Sequence, residues 1–354
     1  MMRGFQALAL ASVGIAAACA SIPIKGDPAV QVAALAETKP VGTVKEDAAD
    51  DPAIWRNNAD PAASLIVATD KKAGLYVYDL AGAQKSFAAG GLLNNVDLLD
   101  LGQAGVLVAA SDRADPLNSQ VALYRLNTAT AVLEPLGHFA TGPGEAYGLC
   151  MYLNGDNPHV VAAIKDGNIR DYAITSFGSP NGQPSARMAR AMKVATQPEG
   201  CVVDPRNGML YVGEENAGIW SFAAGATTGK LVAATDNRQL VADVEGLAIA
   251  PEGESGGWLI ASSQGDNTYA RYSLPDMEPA GRFRISPGAF GAAEETDGIA
   301  LDTRNFGPKF PGGVFVAQDG INAPAAQNFK LASWRDIQKA FETWTPKASP
   351  NPAP

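Results

Sequence analysis

Histidine and cysteine are almost missing from this chain. His138 and His159 stand alone in LGHFA and NPHVV, and the three cysteines fall at positions 19, 150 and 201. Neither histidine belongs to an Arg-His-Gly or His-Asp motif, no Cys-x5-Arg loop occurs, and no Gly-x4-Gly-Lys-Ser/Thr loop occurs. Covalent chemistry through a histidine or cysteine phosphoenzyme is therefore disfavoured, as is a P-loop. Charge is sparse too, at 18% of residues, and acids outnumber bases to leave a net charge of −10. That sign argues against nucleic acid as a partner. Beyond the first twenty residues there is no heptad pattern, no transmembrane run and no basic cluster.

Glycine and apolar alternation are what the chain has in quantity. With 37 glycines and 24 prolines, the composition suits a turn-rich β-protein better than a helical one. Met1-Met-Arg3 leads into an uncharged run from Phe5 to Ala18, too short for a span and typical of a secretory signal. The run ends AAAC, so export with a lipid on Cys19 is the preferred expectation, and cleavage after Ala20 is the alternative. The segments read as a signal over 1–20 (1–18 if lipidated), a linker over 21–35, one domain over 36–345 and a flexible tail over 346–354. Nothing demands more than a monomer. Cys150 follows a strand-opening glycine by two residues and Cys201 by one. Strand alternation then points them to opposite faces, and two buried free thiols are expected rather than a disulfide.

One pattern organises the rest. QPEGCVVD, VEGLAIA and TDGIALD each place an acid and a glycine before an apolar strand. Aligning such starts picks out Asp51, Asp97, Tyr147, Glu199, Glu245 and Asp297, spaced 46 to 52 residues apart. A second apolar strand follows each one, in LIVATDKK, VLVAASDR, VVAAIKDG, LYVGEEN, LIASSQGDN and VFVAQDG. Six units of about fifty residues, filled with strands, predict a six-bladed β-propeller. A short helix is expected within WRDIQKAFETW, Trp334 to Trp344.

Strand starts in a propeller surround one channel, so Asp51, Asp97, Glu199, Glu245 and Asp297 converge, with Asp50 and Asp243 beside them. Crowded carboxylates repel unless protonated or neutralised, and calcium is the cation whose loose oxygen geometry suits ligands from several blades. The second-strand tips differ around the ring. Lys71-Lys72, Asp112-Arg113 and Lys165-Asp166 come first, then Glu214-Glu215, Gln264 and Gln318-Asp319. A basic half beside an acidic, metal-loaded half fits a densely anionic ligand such as several phosphates. A metal-activated water would be the nucleophile, and no side chain need attack.

The segments DAADDPAIW, TDKKAGLYVYDL, LNNVDL, YGL, QPEGC, EEN, DVEGL, SSQGDN, ETDGI, GPKFPGGVFVAQDG and QNFKLASW resemble the β-propeller phytases. Those are calcium-dependent secreted enzymes that release phosphate from myo-inositol hexakisphosphate. The likeness runs from about Ala36 to Trp334. It implies several calcium ions held by Asp51, Glu199, Glu215, Asp243, Glu245 and Asp297, with Gln264 beside them. It implies phosphate binding by Lys71, Lys72, Arg113, Lys165 and Tyr147, so that Tyr147 takes the place of an acid in blade three. Asn94, Asn95 and Asp97 match a motif that implies a buried stabilising calcium. The implied catalytic set is Lys71, Arg113, Tyr147, Lys165 and Glu245. Familiar members carry Asn where this chain has Asp70 and Asp112, which adds negative charge beside the phosphate ligands. The alternatives are a non-catalytic propeller module that displays a ligand site and a calcium-dependent lactonase or esterase. Four cations at the tips argue against the last, since an uncharged lactone gains nothing from them.

Overall fold

The structure is a computed structural model that describes residues 25–178 and 182–344. The expected signal and tail lie outside the described residues. No helix among them is long and apolar enough to cross a membrane. The six expected units appear as six small antiparallel sheets arranged as the blades of a propeller. Their first, innermost strands are Ala49–Trp55, Leu93–Asp100, Ala146–Asn154, Pro198–Val203, Val244–Glu252 and Ile299–Asp302. Each pairs with the apolar second strand read from the sequence: Leu65–Asp70, Val106–Asp112, Asn157–Ile164, Leu210–Glu214, Gly256–Ser263 and Val314–Asp319. One helix, Trp334–Thr343, follows the last blade, with Ser333 as N-cap accepting from the Asp336 amide.

The second strands run as unbroken apolar segments because both of their faces are covered. Ile66 and Ala68 pack toward blade six, while Val67 between them packs toward blade two. The core is accordingly six clusters, one at each seam between neighbouring blades.

That seam geometry corrects the expectation for the cysteines. Cys150 and Cys201 form a disulfide, S–S 2.01 Å and Cα–Cα 5.6 Å. Their opposite orientations were read correctly, but neighbouring blades meet through opposite faces, so the alternation brings them together. Both belong to the cluster between blades three and four. Closing a loop of 51 residues restricts the unfolded chain by about 4 kcal/mol on the loop-entropy model.

The ring is closed by the N-terminal segment. Ala36–Glu37 pairs with Asn328–Ser333 as the outer strand of blade six, and Val30–Ala33 runs parallel to Pro279–Ser286 as a fifth strand of blade five. The segment read as a linker thus contains a strand. Lys330, fully buried, fastens this closure: its Nζ lies 2.6 Å from Glu37, 3.1 Å from Asp319 and 3.1 Å from the Asn322 side-chain oxygen. Replacing it leaves the buried Asp319 carboxylate without its counter-ion. We expect Lys330→Met to lower unfolding free energy by about 3–5 kcal/mol in urea titration, and a loss under about 1 kcal/mol would show that the closure does not depend on it.

Candidate active site

The innermost strands of blades one to five share an irregularity at their start. Ala49 pairs with Asp70 but Pro52 pairs with Ala68, so three steps on the inner strand match two on its neighbour. The same shift falls at Leu93/Val96, Ala146/Leu149, Pro198/Cys201 and Val244/Leu247. Each is a β-bulge, a device that re-aims side chains and breaks the regular ladder. The bulged pairs are Asp50-Asp51, Asn94-Asn95, Tyr147-Gly148, Glu199-Gly200 and Glu245-Gly246, and Asp297-Gly298 holds the matching place just before the last inner strand. Both the bulges and the second-strand tips lie at one end of the propeller, because the first residue of each inner strand pairs near the last of the second.

The ring is therefore Asp50, Asn94, Tyr147, Glu199, Glu245 and Asp297. This corrects the alignment made through Asp51 and Asp97. Asp51 and Asn95 occupy the glycine place, and Asp97 lies further down the strand, where its carboxylate accepts from the Leu98 and Met151 amides at 2.7 Å. The glycine has its own reason. A Cβ on Gly148 would collide with the Glu199 carbonyl oxygen, and one on Gly200 with that of Glu245. Glycine lets adjacent inner strands touch, and the residue before it reaches the mouth. Asp51, where blade one lacks that glycine, turns to the Val96 amide of blade two at 3.1 Å. Asp51, Asn95 and Asp97 line the top of a central cavity of about 360 Å³.

On the side of blades four and five, Glu199, Glu215 and Glu245 bring carboxylate oxygens within 4.8 Å of one another. Glu199 and Glu245 are buried and Glu215 is half-buried. Asn94 donates to Glu199 at 3.1 Å, Gln197 donates to Glu215, and Gln264 donates to Asp297 at 2.5 Å. Burial and the neighbouring acids hold these groups above the ordinary carboxylate range. Glu199 is pushed up to about 7, while Glu245, Asp297 and Asp51 are raised well above their usual values. Burial also raises Glu215 and Asp243, and it pushes Asp97 up to about 6. Three ring side chains bury an oxygen that no donor reaches: Asp50 Oδ2, Asn94 Oδ1 and Glu245 Oε2. Unpartnered acceptors among raised carboxylates are a donor set that fits a hard divalent cation.

The side of blades two and three differs. Tyr147 lies half-buried with Lys165 Nζ 4.6 Å and Arg113 Cζ 6.0 Å from its ring centroid. Lys165 also pairs with Glu145 at 3.1 Å, whereas Arg113 and the exposed Lys72 have no carboxylate partner among the described residues. Lys71 is unlike them. It is buried, and Asp47, Asp50 and Asp297 surround it at 2.8, 3.0 and 3.2 Å. Burial opposes its charge, but the carboxylates outweigh that and hold its pKa above the ordinary lysine value. Asp70 is buried and accepts from Thr43 and the Lys72 amide, and Asp112 accepts from the Ala114 amide.

The mouth thus gathers Glu199, Glu215, Glu245, Asp297 and Gln264 in one arc, and Arg113, Tyr147 and Lys165 in another. The sequence reading noted Asp50 only as a neighbour, and it passed over Asp47 and Glu145. Shifting the repeat alignment by one residue in blade one and by three in blade two, which gives a 44-residue step from Asp50 to Asn94, would have placed Asp50 in the ring.

The sequence profile of the phytase family matches residues 4–347. A 3-phytase of Bacillus subtilis (strain 168) is 37% identical over 328 residues, which cover 87% of this chain and 84% of that protein. The chain belongs to the phytase family, whose members are phosphoric monoester hydrolases.

Proposed function

We propose that the mouth is the catalytic site of a calcium-dependent phytase that releases inorganic phosphate from myo-inositol hexakisphosphate. The observation that carries this reading is the meeting of two unlike arcs at one end of the channel. One offers carboxylate oxygens with unpartnered acceptors. The other offers cations around a tyrosine.

Each residue then has a task. Glu199, Glu215 and Glu245 hold calcium, with Asp243, Asp51, Asn95, Asp297 and Gln264 as further oxygen donors around the channel top. When bound, calcium supplies positive charge that polarises a phosphate and activates water for attack on phosphorus. Arg113 can take two phosphate oxygens through its planar fork, and Lys72 and Lys165 add point charges that offset charge developing in the transition state. Tyr147, its hydroxyl kept protonated by burial and nearby acids, can donate to a phosphate oxygen. A non-catalytic display module would need only one of the two arcs. Other inositol phosphates fit the same cations.

We also propose export, with lipid attachment at Cys19. The uncharged run ending AAAC supports it, and so does a disulfide, which belongs in an oxidising compartment. Mass spectrometry of the mature N-terminus should find a lipid-modified Cys19, and a free Ser21 would replace that with cleavage after Ala20.

The two arcs should fail differently when mutated. Arg113→Ala removes a charge-assisted contact of roughly 1.5–3 kcal/mol, so phytate turnover should fall about tenfold or more while the calcium requirement hardly moves. Glu245→Ala should instead raise the calcium needed for activity. Equal shifts in calcium dependence from both changes would sink this division, as would unaltered phosphate release in both.

The raised carboxylates also fix the sign of a pH effect. Glu199 titrates near 7 in the fold but at about 4.3 in an unfolded chain, so between those values the folded state holds protons the unfolded state has lost. Stability of protein in excess EDTA should therefore fall as pH rises through that window. Asp171, Asp204 and Asp266, whose values are lowered, act only below about pH 4. Calcium should stabilise most at the upper end, where the ligands are ionised. A melting temperature in EDTA that climbs from pH 5 to pH 7.5 would contradict the reading.

A further inference from the structure

We propose that the Cys150–Cys201 disulfide is a positioning link for catalysis, which holds Tyr147 and the cations around it in register with Glu199 and the carboxylate arc. This deepens the calcium and phosphate reading of the mouth and rests on it.

The two arcs meet at the seam between blades three and four. Tyr147 stands in the bulge that opens one inner strand, and Glu199 in the bulge that opens the next. Cys150 follows Tyr147 by three residues and Cys201 follows Glu199 by two. The bond therefore crosses the seam about 7–10 Å below the mouth along each strand. Apart from Cys19 the chain has no further cysteine, so no other seam carries such a bond.

Three other seams are strapped by a side chain from the residue before the second-strand tip. Ser111 donates to the Tyr147 carbonyl at 2.5 Å, Ser262 to that of Thr296 at 2.7 Å, and Gln318 to that of Ala49 at 3.0 Å. Each crosses to the start of the next blade's inner strand. Blade four has Gly213 at this place, and its seam is joined by the Val244 amide, which donates to the Glu215 carbonyl at 2.9 Å. Blade three has Ala163 there, whose methyl can donate nothing. The disulfide takes over where that strap is missing.

Apolar contacts alone do not fix register. The cluster at this seam holds the blades together, but burial of apolar surface is non-directional and resists sliding weakly. A slip here moves Tyr147 against Glu199 while leaving each arc whole. Arg113 stays with blade two, and Glu215 and Glu245 stay with blades four and five. Loss of the link should thus fall on turnover, and spare calcium and substrate binding.

The test joins Cys150→Ala to Cys201→Ala in the full chain, with the unmutated protein reduced by dithiothreitol as a second form. At a temperature where circular dichroism shows both folded, kcat for phytate should fall about tenfold or more, because small misplacements cost much in rate. KM and the calcium midpoint by calorimetry should each move less than about threefold. Reoxidation of the reduced protein should restore kcat. Hydrogen exchange in EDTA needs neither substrate nor calcium. On reduction it should quicken about tenfold in Ala146–Asn154 and Pro198–Val203 and stay level in Val244–Glu252. A folded double variant with full kcat, or equal quickening in all six inner strands, would make the disulfide a stabilising bond only and overturn the proposal. Failure of both forms to fold even in the cold would overturn it as well. Absence of phosphate release from the unmutated protein would instead end the phytase reading, and the exchange result is judged apart from it.

Discussion

Negative charge concentrated on the propeller axis is the constraint to which the rest of this structure answers. Asp50, Glu199, Glu245 and Asp297 come from four blades yet open onto one channel, and Glu215 joins them from a second strand. Such a group is unfavourable in isolation, because burial and mutual repulsion both oppose ionisation. The fold tolerates it through three means: amide donors from Asn94, Gln197 and Gln264, the ammonium of Lys71, and a geometry open to a divalent cation. Stability lost at the mouth is offset below it by the six apolar seam clusters and the Cys150–Cys201 link.

Much of this was legible in the residues. The fifty-residue period and the apolar second strands announce six blades, since each blade is a separate sheet whose second strand is covered on both faces. Glu199, Glu245 and Asp297 were legible because acid and glycine recur together, and the tips at Arg113 and Lys165 because they end equivalent strands. Those residues carry their positions in the local pattern.

What was not legible depends on relations between blades. A bulge inserts one residue into the inner strand, which leaves no mark in composition, and so Asp51 stood where Asp50 belongs. Cys150 and Cys201 seemed to diverge because alternation was judged within a single sheet, whereas the seam joins opposite faces of two. Lys71 and Lys72 look alike as letters. Only the tertiary placement of Asp297, more than two hundred residues away, separates a caged ammonium from a free one.

The inner strands show how one short segment satisfies two unlike demands. Their first two residues serve the mouth, and the remainder serves the seams. The glycine is the hinge between these demands. Without a Cβ it allows the neighbouring backbone to approach, as Gly148 meets Glu199 and Gly200 meets Glu245. That approach is also what brings acids of successive blades near enough to share a cation. A side chain at Gly200 would push blade five away from blade four, and the separation of Glu199 from Glu245 would grow with it. The acid-glycine pair is thus a single structural unit: the glycine determines how close the blades stand, and the closeness makes the acid useful.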